Sequence, residues 1–252
     1  MHERPEDHVA LSRREALRRA VRLAGAGVAG LALTACASSS RSSGFTLLTP
    51  EERARLREPV TVRPYHPQYG GASGWTNRGG VSGAIPRSNW AGGGVEPSLM
   101  NRMLPIDKIT IHHDGMSAFT STSRSAGASR VEAIRLAHRG QNWGDVGYHY
   151  LVDPSGRVWE GRPLEWQGAH VGGQNQGNIG ICVMGNFERQ HPNSAQIAAV
   201  ENSVAELMQK YRIRLNQIRT HQEMAATACP GRYLQPQLVA MRSSRGTLGR
   251  YG

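Results

Sequence analysis

The chain is poor in cysteine and in aromatic residues: of its 252 residues, three are cysteines and 6% are aromatic. Cys36, Cys182 and Cys229 form neither a CxxC pair nor a ladder of regularly spaced cysteines, which argues against a disulfide framework. The sequence also lacks any recognisable helix or knuckle of a nucleic-acid reader, so no nucleic-acid partner is expected. Each cysteine therefore needs an explanation of its own.

What is present indicates one sizeable domain with flanking segments. Hydrophobic residues make up 38% of the chain, so a folded core is expected, and thirty glycines suggest that much of the chain is loop. The formal net charge is +11, with the basic residues scattered along the chain. Such a charge suits an acidic membrane surface or an anionic polymer as a neighbour.

The first 36 residues read as an export signal. The pair Arg13-Arg14 precedes an apolar run at residues 20–35, which is too short and too rich in Gly and Ala to predict a membrane-spanning helix. The arginine pair resembles a twin-arginine signal. Removal of residues 1–35, with six arginines against four acidic residues, lowers the net charge from +11 to +9.

The end of this run is typical of a lipid attachment site. Residues 33–36 (LTAC) resemble a bacterial lipobox, in which Cys36 becomes the first mature residue and carries the acyl chains. We therefore expect an exported, membrane-anchored lipoprotein that faces the periplasm or cell envelope. An uncleaved, membrane-anchored N-terminus is the alternative. Residues 37–82 are rich in Ser, Gly, Pro and Arg without apolar periodicity, and we interpret them as a flexible linker.

Residues 83–245 carry the periodicity of a folded domain. Alternating and continuous apolar runs predict strands at residues 108–113, 148–152, 157–160 and 178–184, and helices at residues 130–139 and 194–211. The first strand alternates as a half-buried strand does, and Ser194 is the expected N-cap of the second helix. The order strand, helix, hairpin, strand, helix indicates a single α/β domain with a mixed central sheet flanked by helices.

A histidine and a cysteine near the C-terminus have the chemistry of a metal site. His221 and Cys229 are eight residues apart, which fits no single helical face but allows convergence on a loop. Imidazole and thiolate are good zinc donors, and a catalytic zinc takes three protein ligands. The strand ending in His112 and His113 offers the best third ligand. A Cys182–Cys229 disulfide is the competing explanation, although Cys182 lies in an apolar strand.

Several motifs in one order extend this hypothesis. From residue 85 to 233 the chain resembles the zinc-dependent N-acetylmuramoyl-L-alanine amidases, which include the peptidoglycan recognition proteins. The resemblance is carried by residues 87–90 (RSNW), 109–113 (ITIHH), 145–149 (DVGYH), 156–162 (GRVWEGR), 168–170 (GAH), 178–181 (NIGI), 185–187 (GNF), His221 and residues 229–231 (CPG). Because many motifs occur in the same order, the match is specific.

The resemblance implies an amidase-like α/β fold and a zinc site formed by His112, His221 and Cys229. The strand alternation agrees, because it places His112 on the face opposite Ile109 and Ile111 and gives His113 a structural position. Tyr148 matches the tyrosine that assists the water and the developing oxyanion. Thr227 stands where some members have a lysine and is a candidate second donor.

Further positions are implied with less defined roles. Trp143, Arg162 and His170 are candidate substrate-binding residues, while His138 and His149 are structural or substrate-contacting. Cys182 occupies the strand position at which other members place a glutamate. The resemblance therefore implies that Tyr148 is the residue that assists catalysis here.

The implied reaction is hydrolysis of the amide between N-acetylmuramic acid and L-alanine by zinc-activated water. Its substrate would be peptidoglycan or muropeptides, and the protein a monomer. The main alternative is a non-catalytic peptidoglycan-binding module. A zinc peptidase that acts on the stem peptide and a structural lipoprotein that bridges membrane and wall are further alternatives.

Overall fold

The computed structural model of the protein describes residues 80–251. The predicted export signal, Cys36 and most of the predicted linker lie outside the described residues. The helices and strands are, in chain order, β1 (Lys108–His113), α1 (Arg124–Arg139), β2 (Tyr150–Val152), β3 (Val158–Glu160), β4 (Asn178–Val183), α2 (Ser194–Tyr211), β5 (Ile218–Thr220) and α3 (Gln235–Met241). Short 3-10 turns connect several of them, including His221–Glu223 directly after β5.

The five strands form one sheet in the order β3-β2-β4-β1-β5. Within this sheet β2 and β3 form an antiparallel hairpin, whereas β4 pairs in parallel with β2 and β1, and β1 in parallel with β5. The predicted mixed sheet is therefore confirmed, with the addition of β5. Because β1 and β5 are parallel neighbours, their carboxyl ends meet at the same edge of the sheet.

Both faces of the sheet are covered by helices. One face packs Ile109, Ile111 and Ile181 against α2, and the other packs Leu151 and Cys182 against α1. All residues of β1 after Lys108 are buried. The prediction of a half-buried β1 is wrong, because its polar side chains also face the interior: the Thr110 hydroxyl donates to Asn178 Oδ1 at 3.0 Å.

The first helix begins six residues before the predicted start, at Arg124, with Ser123 as its N-cap. The first turns of α1 show no apolar periodicity in the sequence, because close packing requires small residues there. A Cβ at Gly127 would lie 2.8 Å from Trp159 Cζ2 and 2.9 Å from Asp153 Oδ2, so only glycine lets α1 approach the hairpin this closely.

The second helix begins at the predicted residue, but its N-cap is Asn193 and not Ser194. Asn193 keeps an extended backbone, and its side chain accepts a hydrogen bond from the Gln196 backbone N–H at 2.9 Å. The Gln196 side chain in turn accepts from the Asn193 backbone N–H, which completes a capping box.

The folded chain continues past residue 245. Leu248, in a final turn at Thr247–Tyr251, is fully buried in the cluster beneath α2. Among residues 80–251, the helices lack the length and apolar character that crossing a lipid bilayer would require.

Candidate metal centre

Three side chains from distant parts of the chain meet at one edge of the sheet. His112 lies near the end of β1, His221 follows β5, and Cys229 lies on the loop after the His221 turn. One ligand atom from each lies within 4.8 Å of the other two. The Cys229 Sγ is 3.6 Å from His112 Nδ1, and all three residues are buried. The convergence follows from the parallel β1–β5 pair and the loop that returns from His221.

The donor set fits zinc. Within residues 80–251, the buried His221 Nδ1 has no hydrogen-bond partner, which is costly for a polar atom unless a ligand occupies that position. The His113 backbone N–H donates to Cys229 Sγ at 3.4 Å, a contact that stabilises a thiolate. In the described part of the chain neither Cys182 nor Cys229 forms a disulfide, so the competing cysteine bridge is wrong. Two imidazoles and one thiolate are a zinc-ligand combination that leaves a fourth position open.

Burial determines the protonation of His112, the candidate ligand on β1. Removal from water lowers the pKa of His112 well below its usual value, and the nearby rings of His170 and His221 lower it further. His112 is therefore neutral near pH 7, with a lone pair on one ring nitrogen that a metal can accept.

The ring of His170 contacts the candidate ligand His112 directly. His112 Nε2 lies 3.0 Å from His170 Nδ1, and His170 Nε2 lies 3.2 Å from the Asn178 carbonyl oxygen. His170 is 7% exposed. The sequence places His170 among the substrate-binding residues, whereas the contacts of both its ring nitrogens are internal to the protein.

The two predicted catalytic residues lie beside this cluster. The ring centroid of Tyr148 is 5.2 Å from that of His112, and Tyr148 is 5% exposed. Thr227 is two residues before the candidate ligand Cys229, and its Oγ1 accepts a hydrogen bond from the Cys229 backbone N–H at 3.2 Å. That contact leaves the Thr227 hydroxyl proton to be donated elsewhere.

Arg162 has a role in the structure that the sequence does not indicate. It is 2% exposed, and burial lowers its pKa to about 10. Its guanidinium donates to four backbone carbonyls, those of Trp143 at 2.6 Å, Asp145 at 3.2 Å, Val146 at 2.8 Å and Gln167 at 2.7 Å. Arg162 is thus not a surface residue: it holds the loop that leads into Tyr148.

A second arginine supports the same loop. Arg87 Nη1 lies 2.8 Å from Asp145 Oδ2, and the Asp145 side chain is fully buried. Burial raises the pKa of Asp145, and the Arg87 charge opposes that rise. Both residues belong to the motif segments 87–90 and 145–149, which are the only sequence signal for this ion pair.

The remaining predicted residues near the site have mostly structural contacts. Trp143 is half-buried, with its ring centroid 4.5 Å from that of His138. His138 Nδ1 accepts from the Gly147 backbone N–H at 2.9 Å. His149 Nδ1 accepts from the Gly180 backbone N–H at 3.0 Å, and its Nε2 lies 3.1 Å from a carbonyl oxygen. Burial lowers the pKa of His149 to about 4, so its ring is neutral.

Cys182 lies on β4 beside β1, the strand that carries His112. It is the register partner of His112 across the β1–β4 pair, and it is fully buried in the cluster that faces α1. No carboxylate therefore occupies this strand position.

Comparison with known proteins gives one consistent family. The profile of the N-acetylmuramoyl-L-alanine amidases matches residues 102–232, just over half of the chain. A peptidoglycan-recognition protein of Drosophila simulans is 30% identical over 155 residues, which are 61% of this chain and 84% of that protein. The Homo sapiens N-acetylmuramoyl-L-alanine amidase is 28% identical over 153 residues, which are 58% of this chain and 26% of that protein.

A solved structure of similar fold contains a ligand. It shows tracheal cytotoxin bound to the ectodomain complex of peptidoglycan recognition proteins LCa and LCx. Its matching chain is 30% identical to this one with a TM-score of 0.54, and the match covers 60% of this chain and 93% of that chain.

Proposed function

This chain belongs to the N-acetylmuramoyl-L-alanine amidase family, and on that premise we propose that it is a zinc-dependent amidase that releases the stem peptide from peptidoglycan. The reaction is hydrolysis of the amide between the lactyl group of N-acetylmuramic acid and L-alanine. The carbon–nitrogen bond breaks, the water oxygen ends in the lactyl carboxylate, and the freed amino group of L-alanine takes up a proton.

The observation that carries the proposal is the convergence of His112, His221 and Cys229, with an otherwise unsatisfied nitrogen on His221. These three side chains would hold the zinc. When bound, zinc supplies Lewis acidity to a carbonyl oxygen and lowers the pKa of a water molecule to about 7. The His113 backbone N–H donates to Cys229 Sγ at 3.4 Å, a contact that would favour a thiolate bound to the metal.

Tyr148 and Thr227 would act on the scissile amide. A tyrosine hydroxyl has a pKa near 10, so it is a poor base at pH 7 but a good hydrogen-bond donor. We assign Tyr148 to the carbonyl oxygen as negative charge develops there, since its ring lies against His112. Thr227 retains a hydroxyl proton and is fixed next to Cys229, which suits it as a second donor.

The substrate class is peptidoglycan or its muropeptide fragments. The support comes from relatives whose names refer to peptidoglycan recognition or to this amidase activity, and from the complex with tracheal cytotoxin. A non-catalytic binding module is the competing function. The complete ligand set favours catalysis, because binding alone would not require two imidazoles and a thiolate to be buried around one point.

Export and lipid anchoring form part of the same proposal. The support is the Arg13-Arg14 pair and the LTAC segment at residues 33–36. Metabolic labelling with an alkyne fatty acid, followed by membrane fractionation, tests it: the full chain is expected in the labelled membrane fraction. A Cys36→Ala chain that is still labelled would contradict the anchor.

The activity is tested on purified sacculi with the zinc-loaded protein, followed by mass spectrometry of the soluble products. Peptides with a free amino-terminal L-alanine are expected, with the lactyl group left on the glycan. His221→Ala is expected to abolish release, whereas His191→Ala removes an exposed histidine and serves as the matched control. Binding to sacculi without release would identify a binding module, and cleavage within the stem would identify a peptidase.

A further inference from the structure

The ligand His112 is part of a chain of ring contacts that ends at the protein backbone. His112 Nε2 lies 3.0 Å from His170 Nδ1, and His170 Nε2 lies 3.2 Å from the Asn178 carbonyl oxygen. His112 Nδ1 faces in the other direction, 3.6 Å from Cys229 Sγ. The two nitrogens of each ring therefore have different and defined partners.

These partners determine where the protons are. A carbonyl oxygen only accepts, so the Asn178 carbonyl requires a proton on His170 Nε2. A neutral His170 then has a lone pair on Nδ1, which accepts a proton from His112 Nε2. With its proton on Nε2, His112 presents the Nδ1 lone pair towards His221 and Cys229, which is the arrangement a metal requires.

The fold leaves space for the His170 ring at two glycines. A Cβ at Gly168 would lie 2.4 Å from His170 Cδ2, and a Cβ at Gly180 would lie 2.6 Å from the same atom. Gly180 is on β4 and pairs with Thr110 of β1, so any side chain there would displace the imidazole from beside the ligand strand.

Two asparagines fix the segment that carries this ring. Asn175 Oδ1 accepts from the backbone N–H groups of His170 at 3.0 Å and of Val171 at 2.8 Å. The Asn178 side chain is held by Thr110, and its Nδ2 donates to the Gln174 carbonyl oxygen at 2.9 Å. Hydrogen bonds thus fix both the backbone that carries His170 and the residue, Asn178, whose carbonyl its ring contacts.

We propose that His170 is a positioning residue that fixes the tautomer of His112, so that Nδ1 is the nitrogen that binds zinc. This role rests on the proposed zinc site, and it lies outside the three ligands themselves. It also gives Gly180 a definite function, which is to keep the β4 surface open for the His170 ring.

The test is zinc affinity, measured by competition with a chromophoric chelator on the purified chain. His170→Leu removes the atom that accepts the proton of His112 Nε2. His170→Asn has the same branched shape as leucine, but its side-chain oxygen can take the place of Nδ1 as the acceptor. Leu is expected to weaken zinc binding about 10- to 100-fold, and Asn to restore most of that loss. Equal affinities for wild type and both variants would overturn the proposal.

Substitution of Gly180 provides a second, independent test of the role of His170. Gly180→Ala is expected to weaken zinc binding in the same range, because the added methyl group displaces the His170 ring. Gly94→Ala is the matched control, since Gly94 is exposed and a Cβ there meets no atom within 4 Å. Unchanged affinity of Gly180→Ala, in a variant with the wild-type circular dichroism spectrum, would contradict the role of the ring.

The tautomer is read directly from nitrogen-15 NMR of labelled histidine in the metal-free chain. Wild type is expected to have its His112 proton on Nε2. In His170→Leu it is expected to move to Nδ1, where Cys229 Sγ accepts it. A wild-type proton on Nδ1 would overturn the proposal even in a chain that binds no zinc. A chain that binds zinc through these residues but cleaves nothing would refute only the amidase function.

Discussion

Replacement of Arg162 by methionine distinguishes a structural arginine from a substrate-binding one. The four carbonyls that its guanidinium satisfies are those of Trp143, Asp145, Val146 and Gln167. Methionine fills much of the same volume but donates no hydrogen bond. The variant therefore leaves these four acceptors without that donor, two of them at buried contacts (Asp145 and Val146) and two at part-buried ones (Trp143 and Gln167).

The size of the effect follows from that count. A buried acceptor left unsatisfied costs about 1.5 kcal/mol and a part-buried one about 0.5 kcal/mol, so Arg162→Met is expected to lower the free energy of unfolding by about 4 kcal/mol. That is a large share of the free energy of unfolding of a typical domain, which is roughly 5–15 kcal/mol. Arg162→Lys retains the charge but reaches fewer carbonyls, and we expect it to lose about 2 kcal/mol.

The assay is urea unfolding of the metal-free protein, monitored by circular dichroism. Arg189→Met, at an exposed arginine, is the matched control and is expected to change the free energy of unfolding by less than about 0.5 kcal/mol. A structural role for Arg162 would be refuted if Arg162→Met unfolded like wild type and instead raised KM for muropeptides. That outcome would return Arg162 to the substrate-binding residues.

Three further predictions follow from the described contacts. Tyr148→Phe keeps the ring packed against His112 but removes the hydroxyl, so kcat is expected to fall about 100-fold with zinc content unchanged; an effect on KM alone would contradict the assigned role. Gly127→Ala places a methyl group 2.8 Å from Trp159 and is expected to destabilise the domain by about 1–3 kcal/mol, seen as a lower Tm; an unchanged Tm would show that α1 can move away from the hairpin at little cost. The pKa of His149 is lowered by burial from its ordinary 6.5 to about 4, so the unfolded chain binds the proton first, and stability is lost as the pH falls from 6.5 to 4. Between pH 7 and pH 4 this lowers the free energy of unfolding of the metal-free protein by about 3 kcal/mol. Urea unfolding of wild type and His149→Gln at several pH values tests this: the free energy of unfolding is expected to fall more steeply with decreasing pH in wild type, and the same pH dependence in both proteins would contradict it.

The longer elements of the fold could be predicted because their sequence periods are clear. The alternation in β1, the apolar run of β4 and the stripe of α2 each extend over six or more residues. By contrast, β5 has three residues, Ile218–Thr220, and is a strand only because β1 lies beside it. The start of α1 is not visible in the sequence because tight packing on the hairpin selects Gly and Ala, which carry no amphipathic signal.

The residues that meet in the candidate site could be predicted from the sequence, but the residues that support them could not. Strand alternation separates His112 from His113, and the order of the motifs groups His112 with His221 and Cys229. Arg162 and His170 act through backbone carbonyls or another ring, and those partners become neighbours only after folding. No spacing rule in the sequence describes such contacts.

The most direct test of the central claim is zinc K-edge X-ray absorption on the purified chain. We expect one zinc per chain with two nitrogen ligands at about 2.0–2.1 Å, one sulfur at about 2.3 Å and one further light ligand. The sulfur shell should disappear in Cys229→Ala. A metal-free protein, or a zinc shell without sulfur in the wild-type chain, would contradict the proposed centre.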